Sequence, residues 1–254
     1  MAASVDLNAD LGEGFGKSRL AADQALLDLV SSANIACGFH AGDATTMRDT
    51  VRAAQERGVS IGAHPSYPDI PGFGRRELNL SPREITFHVT SQLHFLKEVC
   101  VEEGARLFYV KPHGAMYNRA ATDVGAANAI AKAIHQVDPA LTLLGLANSR
   151  MRDAAARHDL RFASEAFADR AYLRDGTLVP RSEKGAVLVS VDDAVARALR
   201  LVRENTLVAD NGDQLNIYAQ SLCVHGDNPD AILMLRTLRS RLEAAGITVK
   251  PFAA

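Results

Sequence analysis

Short apolar segments alternate with longer amphipathic segments along almost the whole chain. The short segments have strand length and are bounded by glycine or polar residues. The predicted strands are 4–10, 33–40, 59–64, 107–113, 141–147, 162–167, 186–190 and 215–225. Most of the segments between them repeat apolar residues every three or four positions, as amphipathic helices do. The predicted helices are 22–31, 43–57, 81–103, 123–137, 149–158, 192–204 and 228–245.

Local start and stop signals support several of these helices. Ser81 precedes Pro82 and stands three residues before Glu84, which is the arrangement of a capping box with proline at the first helical position. Asp43 or Thr45 is a candidate cap for the second helix. Other helices end at a glycine, the residue that favours the left-handed conformation of a helix end. These stop glycines are Gly58, Gly104 and Gly246.

The order of the elements indicates an α/β fold. Strand and helix alternate in units of about 30 to 40 residues, which predicts parallel strands joined by right-handed helical crossovers. Seven or eight such units fit a TIM-like (β/α) barrel, and an open doubly wound sheet is the alternative that periodicity leaves open. No proline- or serine-rich linker interrupts the chain, so we expect residues 1–254 to form a single domain.

Polar side chains collect where the predicted strands end. They are Asp6, Asn8 and Asp10, then His40 and Asp43, His64, Lys111 and His113, Glu165, Asp169 and Arg170, and finally His225 and Asp227. The first three stand two residues apart, so a strand directs all of them to one face. The carboxyl ends of parallel strands share one rim, where active sites of this fold class lie. We therefore expect these side chains to converge.

The residue types leave two kinds of chemistry open. Carboxylates with neutral imidazoles suit either a divalent metal or general acid–base catalysis. Lys111 suits an anion or a developing oxyanion. No serine lies in a GxSxG motif, which disfavours a serine nucleophile. The glycine-rich segments 12–16 and 72–76, the latter with Arg75 and Arg76, and Arg181 farther on, are weaker candidates for anion binding.

The remaining histidines and the cysteines predict no further site. Four histidines fall within or at the ends of predicted helices and are expected on the surface or in packing contacts. They are His88, His94, His135 and His158. The cysteines show no CxxC spacing, which argues against a disulfide framework or a structural zinc site and favours small buried hydrophobes. They are Cys37, Cys100 and Cys223.

Composition and charge exclude some classes of partner. The chain has 254 residues, of which 47% are hydrophobic and 23% charged, and its formal net charge is −2. No basic run suggests nucleic acid or an anionic membrane surface. No apolar run approaches the ~18 residues of a membrane span, and the acidic N-terminal segment does not resemble a signal peptide. We expect a cytoplasmic protein that binds neither nucleic acid nor membrane.

Several segments match, in order, the motifs of a known family. The motifs begin at Asp6 (DLNADLGEGFG), Ala33 (ANIACGFHAGD), Gly62 (GAHPSYPD), Gly72 (GFGRR), Val110 (VKPHGAMYN), Glu165 (EAFADRAY), Gly176 (GTLVPR) and Cys223 (CVHGDNP). Together they resemble the LamB/YcsF family, also known as the family of the 5-oxoprolinase A subunit, from about Val5 to the C-terminal region. The departures are mild, with Ala44 where proline is frequent and Met116 where leucine is frequent, and neither removes a polar group.

This resemblance implies both a fold and an activity. The family fold is an irregular (β/α) barrel related to glycoside hydrolases and polysaccharide deacetylases. The family activity is the ATP-dependent opening of the lactam of 5-oxo-L-proline (pyroglutamate) to L-glutamate. The resemblance implies ATP as cosubstrate and two partner subunits, B and C. A divalent metal, either Mg²⁺ with ATP or an ion bound in the site, is possible.

The motif positions give a working hypothesis for the site. Asp10, His40 and His64 position water, or a metal with its water. The side chains of Lys111 and His113 stabilise oxyanion or phosphate charge. His225 or Asp227 delivers a proton to the departing ring nitrogen. The other motif residues are assigned to substrate binding: Asp6, Asn8, Asp43, Glu165, Asp169, Arg170 and Asp227.

Two other functions fit the same residues. One is a metal-dependent amide hydrolase or deacetylase that needs no ATP. The other is a non-catalytic subunit that binds the lactam while a partner performs the chemistry.

Overall fold

A computed structural model describes residues 3–14, 17–224 and 231–253. Its strands are β1 (Ser4–Leu11), β2 (Ser32–Ala36), β3 (Ser60–His64), β4 (Leu107–Val110), β5 (Thr142–Leu146), β6 (Arg161–Phe167), β7 (Thr206–Val208), β8 (Gln214–Asn216), β9 (Ser221–Cys223) and β10 (Thr248–Val249). Its helices are α1 (Lys17–Leu27), α2 (Ala44–Glu56), α3 (Pro82–Glu102), α4 (Gly114–Thr122), α5 (Val124–Val137), α6 (Arg150–Arg157), α7 (Val191–Glu204) and α8 (Ala231–Ala244).

The main sheet closes on itself. Strands β1 to β6 pair in parallel with their neighbours in chain order, β9 pairs with β6, and β9 also pairs with β1. The result is a closed parallel barrel of seven strands, which confirms the TIM-like alternative and excludes the open sheet. The short strand β10 lies outside this ring and pairs in parallel with the start of β1, where Ser4 is opposite Thr248.

Strand β1 shows how the sequence pattern builds the barrel wall. Its apolar residues, from Val5 through Leu7 to Leu11, belong to the main hydrophobic core. The residues between them, such as Asp6 and Asn8, instead bond polar side chains from other strands. This alternation follows from the two-residue period of a strand. The barrel therefore has an apolar layer between its strands and its helices, and a polar interior.

The helix boundaries bear out the capping signals. Ser81 caps α3, its side chain accepts a hydrogen bond from Glu84 N, and the Glu84 carboxylate reaches back to Ser81 N, so the capping box is formed. The glycines that follow α2, α3 and α8 all have positive φ, as predicted; they are Gly58 (64°), Gly104 (67°) and Gly246 (75°). The three cysteines are buried and unbridged. Within the described ranges, none of the helices has the length and hydrophobicity needed to cross a bilayer.

Two predicted elements differ from the structure, and one helix was missed. The segment 186–190 is not a strand; Val187 makes an isolated bridge to Arg170 in the loop that follows β6. The predicted strand 215–225 is divided into β8, which forms an antiparallel hairpin with β7, and β9, which enters the barrel. Helix α4 was not predicted, because the Lys-Pro-His-Gly segment before it has the composition of a loop.

Candidate active site at the barrel mouth

The deepest polar layer of the barrel is built around Asp6. Its carboxylate accepts hydrogen bonds from the hydroxyls of Ser31 (2.6 Å), Ser32 (2.6 Å) and Ser221. Burial raises the pKa of Asp6 to about 6, and the hydroxyl donors only partly offset this rise. Through these hydrogen bonds the Asp6 carboxylate connects β1 to the beginnings of β2 and β9. This corrects the prediction that Asp6 binds substrate.

The middle layer is a buried charge network centred on Lys111. Its Nζ lies 2.9 Å from Glu165 Oε1, 3.1 Å from Asp10 Oδ1 and 3.1 Å from Asn8 Oδ1. Burial alone would lower the pKa of Lys111, but the two carboxylates outweigh it and hold that pKa well above its usual value. Glu165 also accepts hydrogen bonds from Asn8 Nδ2 (2.9 Å) and from the Tyr117 hydroxyl (2.7 Å). Lys111 is therefore a fixed ammonium at the floor of the mouth.

A cluster of three histidines and Glu13 lies above that floor. His64 Nδ1 donates to the Lys111 carbonyl (2.7 Å), while His64 Nε2 lies 2.9 Å from His113 Nδ1 and 3.3 Å from Asp10 Oδ2. The ring of His40 stacks on that of His113 with centroids 3.9 Å apart, and His40 Nε2 lies 3.0 Å from Glu13 Oε1. All four members of the cluster are buried.

The electrostatic environments of the histidines differ. Burial lowers the pKa of His40, and the nearby Glu13 carboxylate does not reverse this. The pKa of His113 lies well below its usual value because of burial and the neighbouring rings of His40 and His64. Burial opposes protonation of His64 as well, but the charge of Asp10 and its hydrogen bond leave the pKa of His64 raised. The cluster thus combines two imidazoles whose pKa is lowered, those of His40 and His113, with His64, whose pKa is raised, and with the Glu13 carboxylate.

The loop 69–76 holds the cluster from outside. The Phe73 carbonyl accepts a hydrogen bond from His113 Nε2 (2.9 Å), and Phe73 itself adopts φ 54°, a strained conformation for an aromatic residue. At Gly74 (φ 63°) a Cβ atom would lie 2.9 Å from His113 Cδ2. Asp69 anchors the loop by pairing with Arg76 and by accepting from Gly72 N (3.0 Å). This strain indicates that the loop backbone is placed to orient the histidines.

A cavity of about 360 Å³ opens at this rim. Its floor includes Asp10, Glu13, His64, Lys111 and His113. Its remaining walls come from the segment 114–118 at the start of α4, from Phe167 and Arg170 at the end of β6, from the segment 178–182, and from Arg75. Two further guanidinium groups, those of Arg75 and Arg181, therefore border a site whose floor carries carboxylates.

The structure brings most of the predicted residues together. Asp10, His40, His64, Lys111 and His113 form the floor and the cluster, and Asn8 and Glu165 support them from below. Asp169 and Arg170 follow at the end of β6 and are buried. His225 and Asp227 lie outside the described residues.

Two of these residues, which the sequence assigned to substrate binding, make structural bonds. Asp43 is an exposed N-cap of α2 that accepts from Thr46 N (2.7 Å), so it serves the helix rather than the cavity. Arg170 lines the cavity, but its Nε and Nη2 donate to the carbonyls of Ala186 (3.2 Å) and Val179 (2.6 Å), so its guanidinium is engaged in structure. Burial lowers the pKa of Arg170 to about 10.

The candidate metal ligands also change. The sequence suggested Asp10, His40 and His64, whereas the structure groups His40 and His64 with Glu13 and His113. Asp10 Oδ1 is occupied by Asn34 Nδ2 (2.8 Å) and Lys111 Nζ (3.1 Å).

Two polar residues that bond the predicted site residues were not assigned from the sequence. Glu13 stands between Gly12 and Gly14, in a segment that was considered only for phosphate binding. Tyr117 lies in the unpredicted helix α4, and its hydroxyl reaches Glu165. The sequence could have indicated both residues only through their positions within family motifs: Glu13 lies in DLNADLGEGFG and Tyr117 in VKPHGAMYN.

Comparison with known proteins places this architecture in a family. The model of the LamB/YcsF family matches residues 5–254. The chain belongs to the LamB/YcsF family. It is 49% identical over 249 residues to the 5-oxoprolinase A subunit of Streptomyces avermitilis, covering 98% of this chain and 100% of that protein.

Solved structures support both the family and the fold. The crystal structure of the lactam utilization protein from Thermus thermophilus is 42% identical and superimposes with a TM-score of 0.90, covering 98% of this chain and 100% of that one. The polysaccharide deacetylase Bc1974 from Bacillus cereus superimposes with a TM-score of 0.50 at 13% identity, covering 98% of this chain and 92% of that one. This second likeness concerns the fold alone and confirms the predicted relation to deacetylase barrels.

Proposed function

We propose that this LamB/YcsF protein is the subunit of an ATP-dependent 5-oxoprolinase that opens the lactam ring of 5-oxo-L-proline to give L-glutamate. The observation that carries the proposal is the cavity at the barrel mouth, where a fixed ammonium, carboxylates and imidazoles surround a space of about 360 Å³. The names of the similar proteins, the 5-oxoprolinase A subunit and the lactam utilization protein, support the same bond type.

The charges of the cavity suit this substrate. 5-Oxoproline is a small five-membered lactam with one carboxylate, and guanidinium groups bind carboxylates well. Arg75 and Arg181 border the cavity, so the substrate carboxylate is assigned to that side. The lactam carbonyl then points to the floor, where the ammonium of Lys111 stabilises the negative charge that develops on its oxygen.

The other floor residues are assigned to water and proton handling. Asp10 and Glu13 are acceptors on the same side as His64, so together they orient a water molecule toward the lactam carbon. His113 contributes a further polar edge to the floor. The ring nitrogen needs a proton when the C–N bond breaks, and His225 or Asp227 remains the sequence-based candidate for its delivery.

ATP and partner subunits complete the proposal. An unactivated lactam is a poor electrophile, and phosphorylation of its oxygen by ATP would make it a better one. The chain has no Walker sequence, so we assign ATP use, with Mg²⁺, to the assembly with subunits B and C rather than to this chain alone. The cytoplasmic location expected from the sequence belongs to the same proposal.

The test is glutamate release from 5-oxoproline, measured for the chain alone and for the chain with subunits B and C, each with and without ATP and Mg²⁺. We expect turnover only when partners and ATP are both present. Turnover of an amide or N-acetyl substrate by the chain alone, without nucleotide, would replace this proposal with the deacetylase alternative.

Variants of the floor test whether this chain performs the chemistry. Asp10→Asn and Lys111→Met are each expected to lower kcat of the assembled enzyme at least about 100-fold, because both remove charge next to the reacting carbonyl. His94→Gln, on the exposed side of α3, is the matched control and should retain full activity. Unchanged kcat in folded floor variants would support the non-catalytic binding subunit instead.

A further inference from the structure

The cluster at the barrel mouth presents several electron-pair donors to one point. The ligand atoms of Glu13, His40, His64 and His113 all lie within 4.8 Å of one another. His64 Nε2 and His113 Nδ1 are 2.9 Å apart, and Glu13 Oε1 lies 3.0 Å from His40 Nε2 and 3.3 Å from His113 Nδ1. A positive centre, either an added proton or a metal ion, would stabilise this convergence of imidazole and carboxylate atoms.

Backbone carbonyls fix the tautomers of two of these histidines. A carbonyl only accepts, so His64 Nδ1 carries the hydrogen that it donates to Lys111 O, and His113 Nε2 carries the one that it donates to Phe73 O. In a neutral imidazole the other nitrogen then has a lone pair. These two lone pairs, on His64 Nε2 and His113 Nδ1, face each other. The pair is attractive only if His64 Nε2 takes a second proton, which the Asp10 carboxylate at 3.3 Å favours, or if a metal ion lies between the two nitrogens.

A histidine bound to a backbone carbonyl through one nitrogen is also the usual outer arrangement of a metal ligand. The carbonyl orients the ring and raises the basicity of the opposite nitrogen. The strained φ of Phe73 places one of these two carbonyls, so the protein stores backbone strain at the point where a ligand would be oriented.

The spacing of the atoms fits a small ion. Tetrahedral coordination with bonds of about 2.0–2.1 Å separates the ligand atoms by about 3.3–3.4 Å. The separations measured around Glu13 Oε1 and between His64 and His113 are 2.9, 3.0, 3.3 and 3.8 Å. A single proton satisfies at most two of these atoms, whereas a dication satisfies all of them.

His40 can complete the set. Its Nε2 faces Glu13, and its buried Nδ1 has no hydrogen-bond partner among the described residues. Without a metal, Nε2 carries the hydrogen that it donates to the Glu13 carboxylate. Metal binding would move that hydrogen to the unpartnered Nδ1 and leave Nε2 as a ligand.

We propose that Glu13, His40, His64 and His113 form a binding site for one divalent transition-metal ion of the zinc type. Three imidazoles and one carboxylate favour such an ion over Mg²⁺, which prefers oxygen ligands and retains its water. When bound, the ion supplies Lewis-acid polarisation at the edge of the cavity. The site is distinct from any Mg²⁺ that accompanies ATP, and metal uptake does not depend on the proposed activity.

The test is metal uptake by the full chain. Protein stripped with a chelator and dialysed is titrated with Zn²⁺ or Co²⁺, by calorimetry and by the visible absorption of Co²⁺, and Tm is followed in parallel. We expect one ion per chain, a Tm that rises with Zn²⁺ concentration, and no comparable response to Mg²⁺.

Matched variants locate the site. Glu13→Gln keeps the shape of the side chain and removes its charge, and His113→Asn removes one imidazole. Each is expected to weaken Zn²⁺ binding at least about 10-fold. His94→Gln, with its exposed side chain, should bind as the wild type does.

Three results would overturn the assignment. They are a folded wild-type chain that takes up neither Zn²⁺ nor Co²⁺ at millimolar concentration, a folded Glu13→Gln variant that binds as tightly as wild type, and equal weakening by His94→Gln. The first result would leave a shared proton between His64 and His113 as the positive centre. Loss of 5-oxoproline turnover in the assembled enzyme with metal uptake intact would count against the proposed function only.

Discussion

Removal of the Lys111 ammonium provides a quantitative test of the buried charge network. Lys111→Met keeps most of the volume and apolar stem of the side chain and leaves the carboxylates of Asp10 and Glu165 without the ammonium that lies 3.1 and 2.9 Å from them. Breaking a buried ion pair by removing one partner costs about 3–5 kcal/mol, because the remaining charge stays desolvated. For a chain of this size each kcal/mol lowers Tm by about 2–4 °C, so we expect a loss of about 6–20 °C.

The matched control is a lysine with similar pairing geometry and different burial. Lys97 Nζ lies 3.0 Å from Asp138 Oδ2, but the two side chains are 38% and 32% exposed. Lys97→Met should therefore cost less than about 1 kcal/mol. The two variants compare nearly equal N–O distances in different dielectric environments, so the difference between them measures burial.

The assay is urea unfolding at pH 7, followed by far-UV circular dichroism and by calorimetric Tm. The double variant Lys111→Met/Glu165→Gln should be more stable than the sum of the single changes predicts by about 0.5–3 kcal/mol, because it removes both partners. A Lys111→Met variant within about 1 kcal/mol of wild type would refute the reasoning, as would strict additivity in the double variant.

Three further changes test separate parts of the structure. Asp6→Asn should remove a pH dependence of stability. Because the folded pKa of Asp6 is raised from 3.8 to about 6, wild type loses about 2 kcal/mol relative to the variant as pH rises from 4 to 7, measured by urea unfolding across that range. Gly74→Ala should lower stability by about 1–3 kcal/mol and disturb His113, because it adds a Cβ at φ 63° only 2.9 Å from that ring; Tm and kcat are the readouts. Ser81→Ala should cost about 1 kcal/mol through loss of the α3 cap, by Tm, without affecting kcat.

Each of these expectations has a clear contrary result. A constant stability difference between wild type and Asp6→Asn from pH 4 to 7 would mean that the Asp6 carboxyl ionises as readily in the folded chain as in the unfolded one. For Gly74→Ala, unchanged Tm would show that the loop tolerates a side chain at this position. The control is Gly176→Ala, where φ is 83° and the space around the added Cβ is open. Its loss of stability measures the backbone cost without a clash. Loss of kcat in Ser81→Ala would show that the cap influences the distant cavity.

Much of the barrel was predictable from local pattern. Strands β1 to β6 were predicted because each is an apolar segment bounded by glycine or polar residues. The inward direction of Asp6, Asn8 and Asp10 followed from the strand period alone. The capping box at Ser81 was equally local.

The remaining features depend on contacts between distant segments. The strand period placed Asp6 and Asp10 on one face, but it did not distinguish their roles. In the structure Asp6 binds three serine hydroxyls, whereas Asp10 reaches the cavity. Asp43 could be read as a cap or as a ligand, and only its exposure decides between them. Glu13 became a candidate ligand only through its approach to His40, which the sequence separates by 27 residues. Segment 186–190 is apolar enough for a strand but bonds the loop after β6 instead.

The polar interior of the barrel also has a consequence for how the protein acquires its activity. Its hydrogen bonds join residues far apart in the chain: Asn8 to Glu165 spans 157 positions, and Asn8 to Ser221 spans 213. Contacts of such separation form late, because the chain must first close long loops, and an incomplete barrel would leave these buried charges unpaired. We therefore expect no partly folded species to carry a working site. If refolding samples are assayed after addition of subunits B and C with ATP, recovery of turnover should coincide with docking of β9 against β1 rather than with the earlier appearance of helical signal.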